Sequence, residues 1–212
     1  MSDRYPGYDV MTKRNGPSWN DVTRRVIDNR LATPKGPRFF SAAEFETVRS
    51  IADRIVPQRR HDPIPVTDFV EARLLSGQGD GFRQAGVPQA GEAWRKALAA
   101  LDAEAQAAHG MPFRQLSGPE RDGILHRMQN GDLHHSSWGG IPPATLFTQL
   151  VARDIVFAYY SHPTAWSEIG WGGPASPRGY VRTGYDRRDP WEAAEVKDGD
   201  DAAAIRKNRR VR

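Results

Sequence analysis

The chain contains no cysteine. It can therefore form no disulfide, offer no thiolate to a metal and attach no c-type haem. No run approaches the ~20 apolar residues of a membrane-spanning helix, so a soluble chain with no membrane span is expected. No stretch alternates apolar and polar residues convincingly over a strand length, which removes the main signal for a sheet. No glycine-rich loop follows a strand, so neither a dinucleotide fingerprint nor a phosphate loop is present. By itself the chain cannot hold a flavin or nicotinamide in the usual way. A concentrated basic stripe is missing as well. The net charge of +4 divides into +4 over residues 1–38, −3 over 39–196 and +3 over 197–212. The basic character thus belongs to the two ends, which weakens any nucleic-acid reading.

Within its 212 residues, 38% hydrophobic content and six tryptophans suffice for a core, whereas 20 glycines and 16 prolines keep much of the chain out of regular structure. Residues 1–38 read as a basic, partly extended arm, with one short helix over Ser18 to Leu31 carrying Trp19, Val22, Val26 and Ile27. Thr23-Arg24-Arg25 resembles a twin-arginine export signal, but the charged, proline-bearing residues that follow stand where an apolar core should be. A cytoplasmic chain is expected, or an exported one if a partner carries the signal.

Residues 39–160 read as a helical domain. Ser41 and Glu44 form a capping box, followed by the stripe Phe45, Val48, Ile51, Ala52, Ile55, Val56 and the stop Pro57. A second helix, about Val66 to Leu75, turns Phe69, Val70 and Leu74 inward. A third runs from about Gly91 to Ala108 with Trp94, Leu98, Leu101 and Ala105 on one side. Ser117, Pro119 and Glu120 start a fourth, with Ile124, Leu125 and Met128 inward. Pro143 to Tyr160 is the most apolar helix and reads as the central one. The fold class is all-α: a bundle of about five helices with an irregular wrap at its end.

That wrap, 161–192, followed by a basic tail over 193–212, is the most informative stretch. Between Tyr159 and Trp191 lie five glycines and four prolines, which forbid a long helix, yet also Trp166, Trp171, Trp191, Tyr159, Tyr160, Tyr180 and Tyr185. Rings of that size drive ordering. Arg178, Arg182, Arg187 and Arg188 alternate with them. Three readings stay open: a tail that closes its own domain, a partner-docking segment, and a nucleic-acid surface. Glu168, Asp186, Asp189 and Glu192 count against the last.

Catalytic signals are weak. His126, His134 and His135 lack a completing ligand at helical spacing. Ser136 and Ser137 have no elbow turn or positioned acid. Asp102 and Glu104 read as a solvated helix face. No catalytic, cofactor or metal residue is assigned. The alternatives are a self-sufficient enzyme with a histidine site at 126–137, and a basic-tailed nucleic-acid binder.

His162-Pro163, Trp166, Glu168-Ile169-Gly170, Gly172-Gly173-Pro174 and Pro177-Arg178-Gly179-Tyr180 resemble the C-terminal run of the gluconate 2-dehydrogenase subunit 3 family. The resemblance extends back to Phe39–Gln58. It implies a non-catalytic small subunit that stabilises and helps assemble a large FAD-dependent dehydrogenase of the glucose-methanol-choline (GMC) type. That partner would act on sugars, polyols or sugar acids, in some assemblies with a multihaem cytochrome c as electron acceptor. FAD would lie in the partner, with no cofactor in this chain. The expected partner contacts are Trp138, His162, Trp166, Trp171, Arg178, Tyr180 and Arg182, on the aromatic segment and the 131–143 loop.

Overall fold

The computed structural model describes residues 4–211 except Arg59, Arg60, Gln78, Asp80, Phe82, Arg83, Tyr185 and Asp198. Among the described residues there are nine α-helices and no strand, as the all-α reading expects. One isolated parallel bridge joins Trp19 to Ser176.

The chain divides into two compact units, Pro34–Tyr159 and the pair of segments Met1–Thr33 with Tyr160–Arg212. This grouping differs from the four consecutive segments read from the sequence. Arm, aromatic stretch and tail form one body because each contributes to a single buried cluster. Tyr8, Val10, Trp19 and Ile27 come from the arm, Trp166 from the aromatic stretch and Val211 from the tail. None of the three segments supplies this cluster alone.

The helical unit opens with α2 (Ala42–Ile55), where both halves of the Ser41–Glu44 capping box are formed. It continues with α3 (Val66–Ser76), α4 (Ala90–His109) and α5 (Gly118–Asn130), which starts from the Ser117–Glu120 box. The last rod is composite: α6 (Pro143–Leu146), a π-helical turn (Phe147–Val151) and α7 (Ala152–Tyr160), with right-handed backbone at each junction. A π turn inserts one residue and rotates the following face. Here it lets Leu146, Leu150, Val151 and Ile155 all stay buried.

The central helix is α4, not the Pro143–Tyr160 rod. Ala93, Trp94, Ala97, Leu98, Ala100, Leu101 and Ala105 are all buried, and α4 packs against α2, α5, α6 and the π turn. Its alanines allow close approach from several sides. The final rod instead exposes Phe157 (61%) and Val156 (36%) to solvent.

Helix α3 also departs from its expected face. Val70 is buried, but Phe69 and Leu74 are only half-buried. Asp68 and Glu71 are buried beside Val70, and each receives backbone donors. The Asp68 carboxylate accepts from Gly36 N at 2.6 Å. Glu71 accepts from Arg38 N (2.8 Å), Phe39 N (2.6 Å) and Phe40 N (2.9 Å). One fully buried carboxylate thus anchors the extended chain that leads into α2. A second buried acid, Asp154 on α7, accepts from Arg73 Nη1 and from Trp94 Nε1 at 2.9 Å.

Replacing Glu71 by alanine leaves three backbone N–H groups without an acceptor. The expected cost is about 3 kcal/mol, less for Glu71→Gln, which keeps one acceptor oxygen. Urea denaturation followed by circular dichroism measures it. An unchanged midpoint in Glu71→Ala would show that this anchor contributes nothing.

Candidate docking site

The aromatic stretch belongs to the terminal unit, and the arm holds it there. Residues Val10–Asn15 form a 3-10 turn capped by Asp9, whose side chain accepts from Met11 N. The turn buries Val10 and Lys13 together. Opposite stands α8 (Pro163–Glu168), capped by His162, whose Nδ1 accepts from Thr164 N at 3.2 Å. Val10 N donates to Ser167 Oγ at 3.1 Å. Past α8 the backbone turns away through Gly170. Here Tyr8 Oη donates to the Trp171 carbonyl and Lys13 Nζ to the Gly172 carbonyl, both at 3.0 Å.

Two glycines permit this approach. At Gly170 (φ 67°) a Cβ would stand 2.5 Å from the Tyr5 ring, and at Gly173 (φ 68°) 2.9 Å from Val10 Cγ2. Both need a left-handed backbone as well as bare space. The arm and the Ile169–Pro174 turn therefore fit only without side chains at these positions.

Around that clamp the remaining pieces lock. Trp166 is buried, with its Nε1 donating to the Tyr160 carbonyl at 2.6 Å and the Trp171 ring edge-on to it at 4.9 Å. Arg30 of α1 (Asp21–Leu31) donates to the Ser161 carbonyl at 2.8 Å and lies over the Trp166 ring. Arg178 stacks on Trp191 at 4.5 Å and donates from Nε to Ser18 Oγ at 3.1 Å. Asp189 closes its loop by accepting from Thr183 N, Thr183 Oγ1 and Gly184 N. The Thr183 backbone bond is foremost among the effects that hold the Asp189 carboxyl below its ordinary range. In α9 (Asp201–Asn208), Asn208 accepts from Ala194 N at 2.6 Å and donates to the Pro6 and Ala194 carbonyls. Neither α9 nor this asparagine clasp was visible in a tail that reads simply as basic.

The expected contact residues separate into two groups. Trp138 and Trp166, at 4% and 3% exposure, lie inside the chain's own packing, which removes their rings from its outer surface. His162 is a half-buried helix cap, and Arg178 a half-buried stack on Trp191. Trp171 (40%), Tyr180 (68%) and Arg182 remain outside, the last paired with Glu192 at 3.1 Å. Ile169 (48%) and Val181 (78%) extend this outer apolar set. Tyr185 lies outside the described residues.

The 131–143 loop is built differently. Glu104 is buried at 8% exposure, not part of a solvated face as its spacing suggests. Its carboxylate accepts from His135 N (2.8 Å) and Trp138 Nε1 (2.9 Å). Burial works to raise this carboxyl, but those two bonds, with nearby positive charge, bring it net below the ordinary glutamate value. His126 Nδ1 sits 2.8 Å from the Asp122 carbonyl one turn back, and His135 Nδ1 accepts from Ser137 N. Among the described residues, no three His, Asp or Glu side chains are placed to share a metal. A cavity of about 790 Å³ in the helical unit is lined by Arg73, Arg95, Gln149 and Arg153 among others. Arg73 bonds Asp154, and Arg95 bonds the Phe39 carbonyl while stacking on its ring.

Sequence reasoning missed Lys13, which is fully buried. It stands among polar residues, and no spacing rule marks it. Burial, reinforced by the Arg178 charge and opposed by Glu192, lowers its ammonium from 10.5 to about 8. Below pH 8 the folded chain carries this buried charge at full cost. Between about 8 and 10.5 the folded state gives up the proton while the unfolded state keeps it, so stability rises with pH. Burial raises the Tyr8 phenol above its usual 10, so its contribution is present below pH 10 and lost above. The urea midpoint should therefore climb from pH 8 to 10, by of order 2 kcal/mol in stability, and then fall. In Lys13→Met the climb should disappear. A climb of equal size in that variant would assign it to some other group.

A family model described as gluconate 2-dehydrogenase subunit 3 matches residues 42–173. The match runs from the first residue of α2 to Gly173, so it takes in Ser167, Trp171, Gly172 and the close-approach glycines that the arm grips. Arg178, Tyr180 and Arg182 lie beyond it. No curated protein and no solved structure gave a significant match. Because the matched span is more than half of the 212 residues, the chain belongs to the gluconate 2-dehydrogenase subunit 3 family.

Proposed function

We propose that this chain is the non-catalytic small subunit of a dehydrogenase complex, and that it binds and stabilises a large FAD-dependent partner of the GMC type. Membership of a dehydrogenase subunit family supports the subunit role. One structural observation carries the docking part. Trp171, Tyr180 and Val181 project to solvent from backbone that is internally tied by Tyr8, Lys13, Arg178 and Asp189. Large rings held rigidly in water lose little conformational freedom when a partner covers them. Arg182 beside them suits a polar rim around an apolar centre. Burying two or three such side chains supplies several kcal/mol, at ~25 cal/mol per Å² of apolar area. The substrate would be a sugar, polyol or sugar acid oxidised at the partner's flavin, with electrons passing on to a cytochrome c where one is present.

Pull-down of the tagged chain from its native host, followed by an absorption spectrum of the eluate, tests this reading. Oxidised-flavin bands on a second, larger polypeptide are the expected result. A chain that elutes alone, colourless and folded, would remove the proposal. Within the complex, the double variant Tyr180→Ala/Val181→Ser should weaken association at least tenfold, about 1.4 kcal/mol or more. Its own unfolding midpoint should stay within the range of ordinary surface substitutions. Unchanged affinity would place the interface elsewhere on the chain.

A further inference from the structure

In the core of the terminal unit, several buried donors lack a described acceptor. Trp19 is 2% exposed, and its buried Nε1 has no hydrogen-bond partner among the described residues. The buried Nη1 of Arg178 has none among them either. Lys13 is fully buried and makes one described hydrogen bond, to the Gly172 carbonyl, of the three its ammonium can donate.

These groups border one stretch of backbone. A Cβ on Gly172 would lie 3.1 Å from Lys13 Nζ, and one on Gly173 3.7 Å from Trp19 Cζ2, two bonds from Nε1. The ammonium and the indole therefore border adjacent residues of one turn. Arg178 reaches the same place by donating to Ser18, the residue before Trp19. Ser176, two residues before Arg178, pairs with Trp19 in the backbone bridge. The charge of Arg178 is felt at both Lys13 and Tyr8.

The carboxylates of this neighbourhood are already engaged. Asp9 accepts from Met11 N, and Asp189 from Thr183 and Gly184. Glu192 accepts from Asp189 N and Arg182. Two cations and an indole N–H thus border one turn, and among the described residues no carboxylate is hydrogen-bonded to any of them. Buried unpaired donors are costly, and buried unpaired charge more so.

We infer that Lys13, Trp19 and Arg178 form a binding site for a small oxyanion, a carboxylate or an inorganic phosphate or sulfate. Such an anion offers several lone pairs in the volume of one group, enough for Trp19 Nε1, Arg178 Nη1 and the spare protons of Lys13. It also balances the paired positive charge, which a water molecule cannot. The inference does not rest on the accessory-subunit reading, since all three residues belong to this chain.

Indole N–H resonances of chain labelled with ¹⁵N-tryptophan test it directly. Trp19→Phe identifies the Trp19 peak among the six. The chain, dialysed into chloride, is titrated with sodium phosphate in one arm and sodium acetate in the other, at constant ionic strength. A saturable shift centred on Trp19, with at least tenfold weaker affinity in Arg178→Gln, is the expected outcome. The arm that shows it names the anion class. No Trp19 shift in either arm, or an identical titration in Arg178→Gln, overturns the site. If Arg178→Gln fails to fold, the wild-type melting temperature decides. A rise with phosphate or acetate beyond that with chloride supports the site, and equal rises overturn it. A crystal structure with a water on Trp19 Nε1 and Arg178 Nη1 in phosphate-containing mother liquor also overturns it.

Discussion

The terminal unit depends on two carbonyls. Where α8 ends, the backbone at Trp171 and Gly172 has no helix or sheet to receive its oxygens, and the arm supplies Tyr8 Oη and Lys13 Nζ instead. Backbone acceptors withdrawn from water need partners. Here they come from a segment more than 150 residues distant in sequence. The cost of that arrangement is a buried ammonium, and its benefit is that a glycine-rich turn, otherwise conformationally loose, is held in one shape. Bare backbone at Gly170 and Gly173 is the complementary half of the same contact, because Tyr5 and Val10 occupy the space that side chains would fill.

Order on the outside follows from order on the inside. Trp171 has one edge against buried Trp166 while 40% of its surface stays in water. Tyr180 follows Arg178, whose guanidinium is stacked on Trp191, and Arg182 leads into the loop closed by Asp189. A loop whose backbone is tied this closely does not pay a large ordering entropy on association. The aromatic content that suggested docking therefore performs two tasks. Trp19 and Trp166 build the core that fixes the segment, and Trp171 and Tyr180 are what the segment displays.

Most helices were legible because their signals are local. Ser41–Glu44 and Ser117–Glu120 are capping boxes in sequence and in structure, and Gly110 and Gly131 end α4 and α5 in left-handed conformation. The family was legible too, from the run His162 to Tyr180 and from Phe39–Gln58, of which the family match takes in residues 42–173. Illegible were the features that depend on distant partners. Apolar residue type gives Phe69 and Leu74 to the inner face of α3. The helix instead turns Glu71 inward, because the three amides of Arg38, Phe39 and Phe40 need an acceptor there. Glu104 reads as solvated because it lies with Asp102 on a helix whose other face is apolar, yet the loop that folds over it brings His135 N and Trp138 Nε1. Phe157 reads as core by residue type and sits in water. Trp138 and Trp166 read as contacts for a partner, since ring type alone cannot tell an intramolecular core from an interface.

Buried charge follows one rule at the carboxylates and another at Lys13. Glu71, Glu104 and Asp154 are each surrounded by donors: three amides, an amide and an indole, an indole and a guanidinium. These anions are solvated by the protein, and each ties together chain segments that sequence leaves far apart. In the terminal unit Asp189 is satisfied in the same way, but buried Lys13 has only one described hydrogen-bond acceptor, a carbonyl oxygen. Two other nearby donors, Trp19 Nε1 and Arg178 Nη1, have no acceptor among the described residues. A protein that satisfies its buried carboxylates so fully has the means to place an acid beside Lys13, and Glu192 is near enough to influence it. Glu192 is instead drawn to Asp189 N and Arg182, where it closes the outer loop. The imbalance around Lys13 is thus the physical complement of a group that arrives from outside the chain.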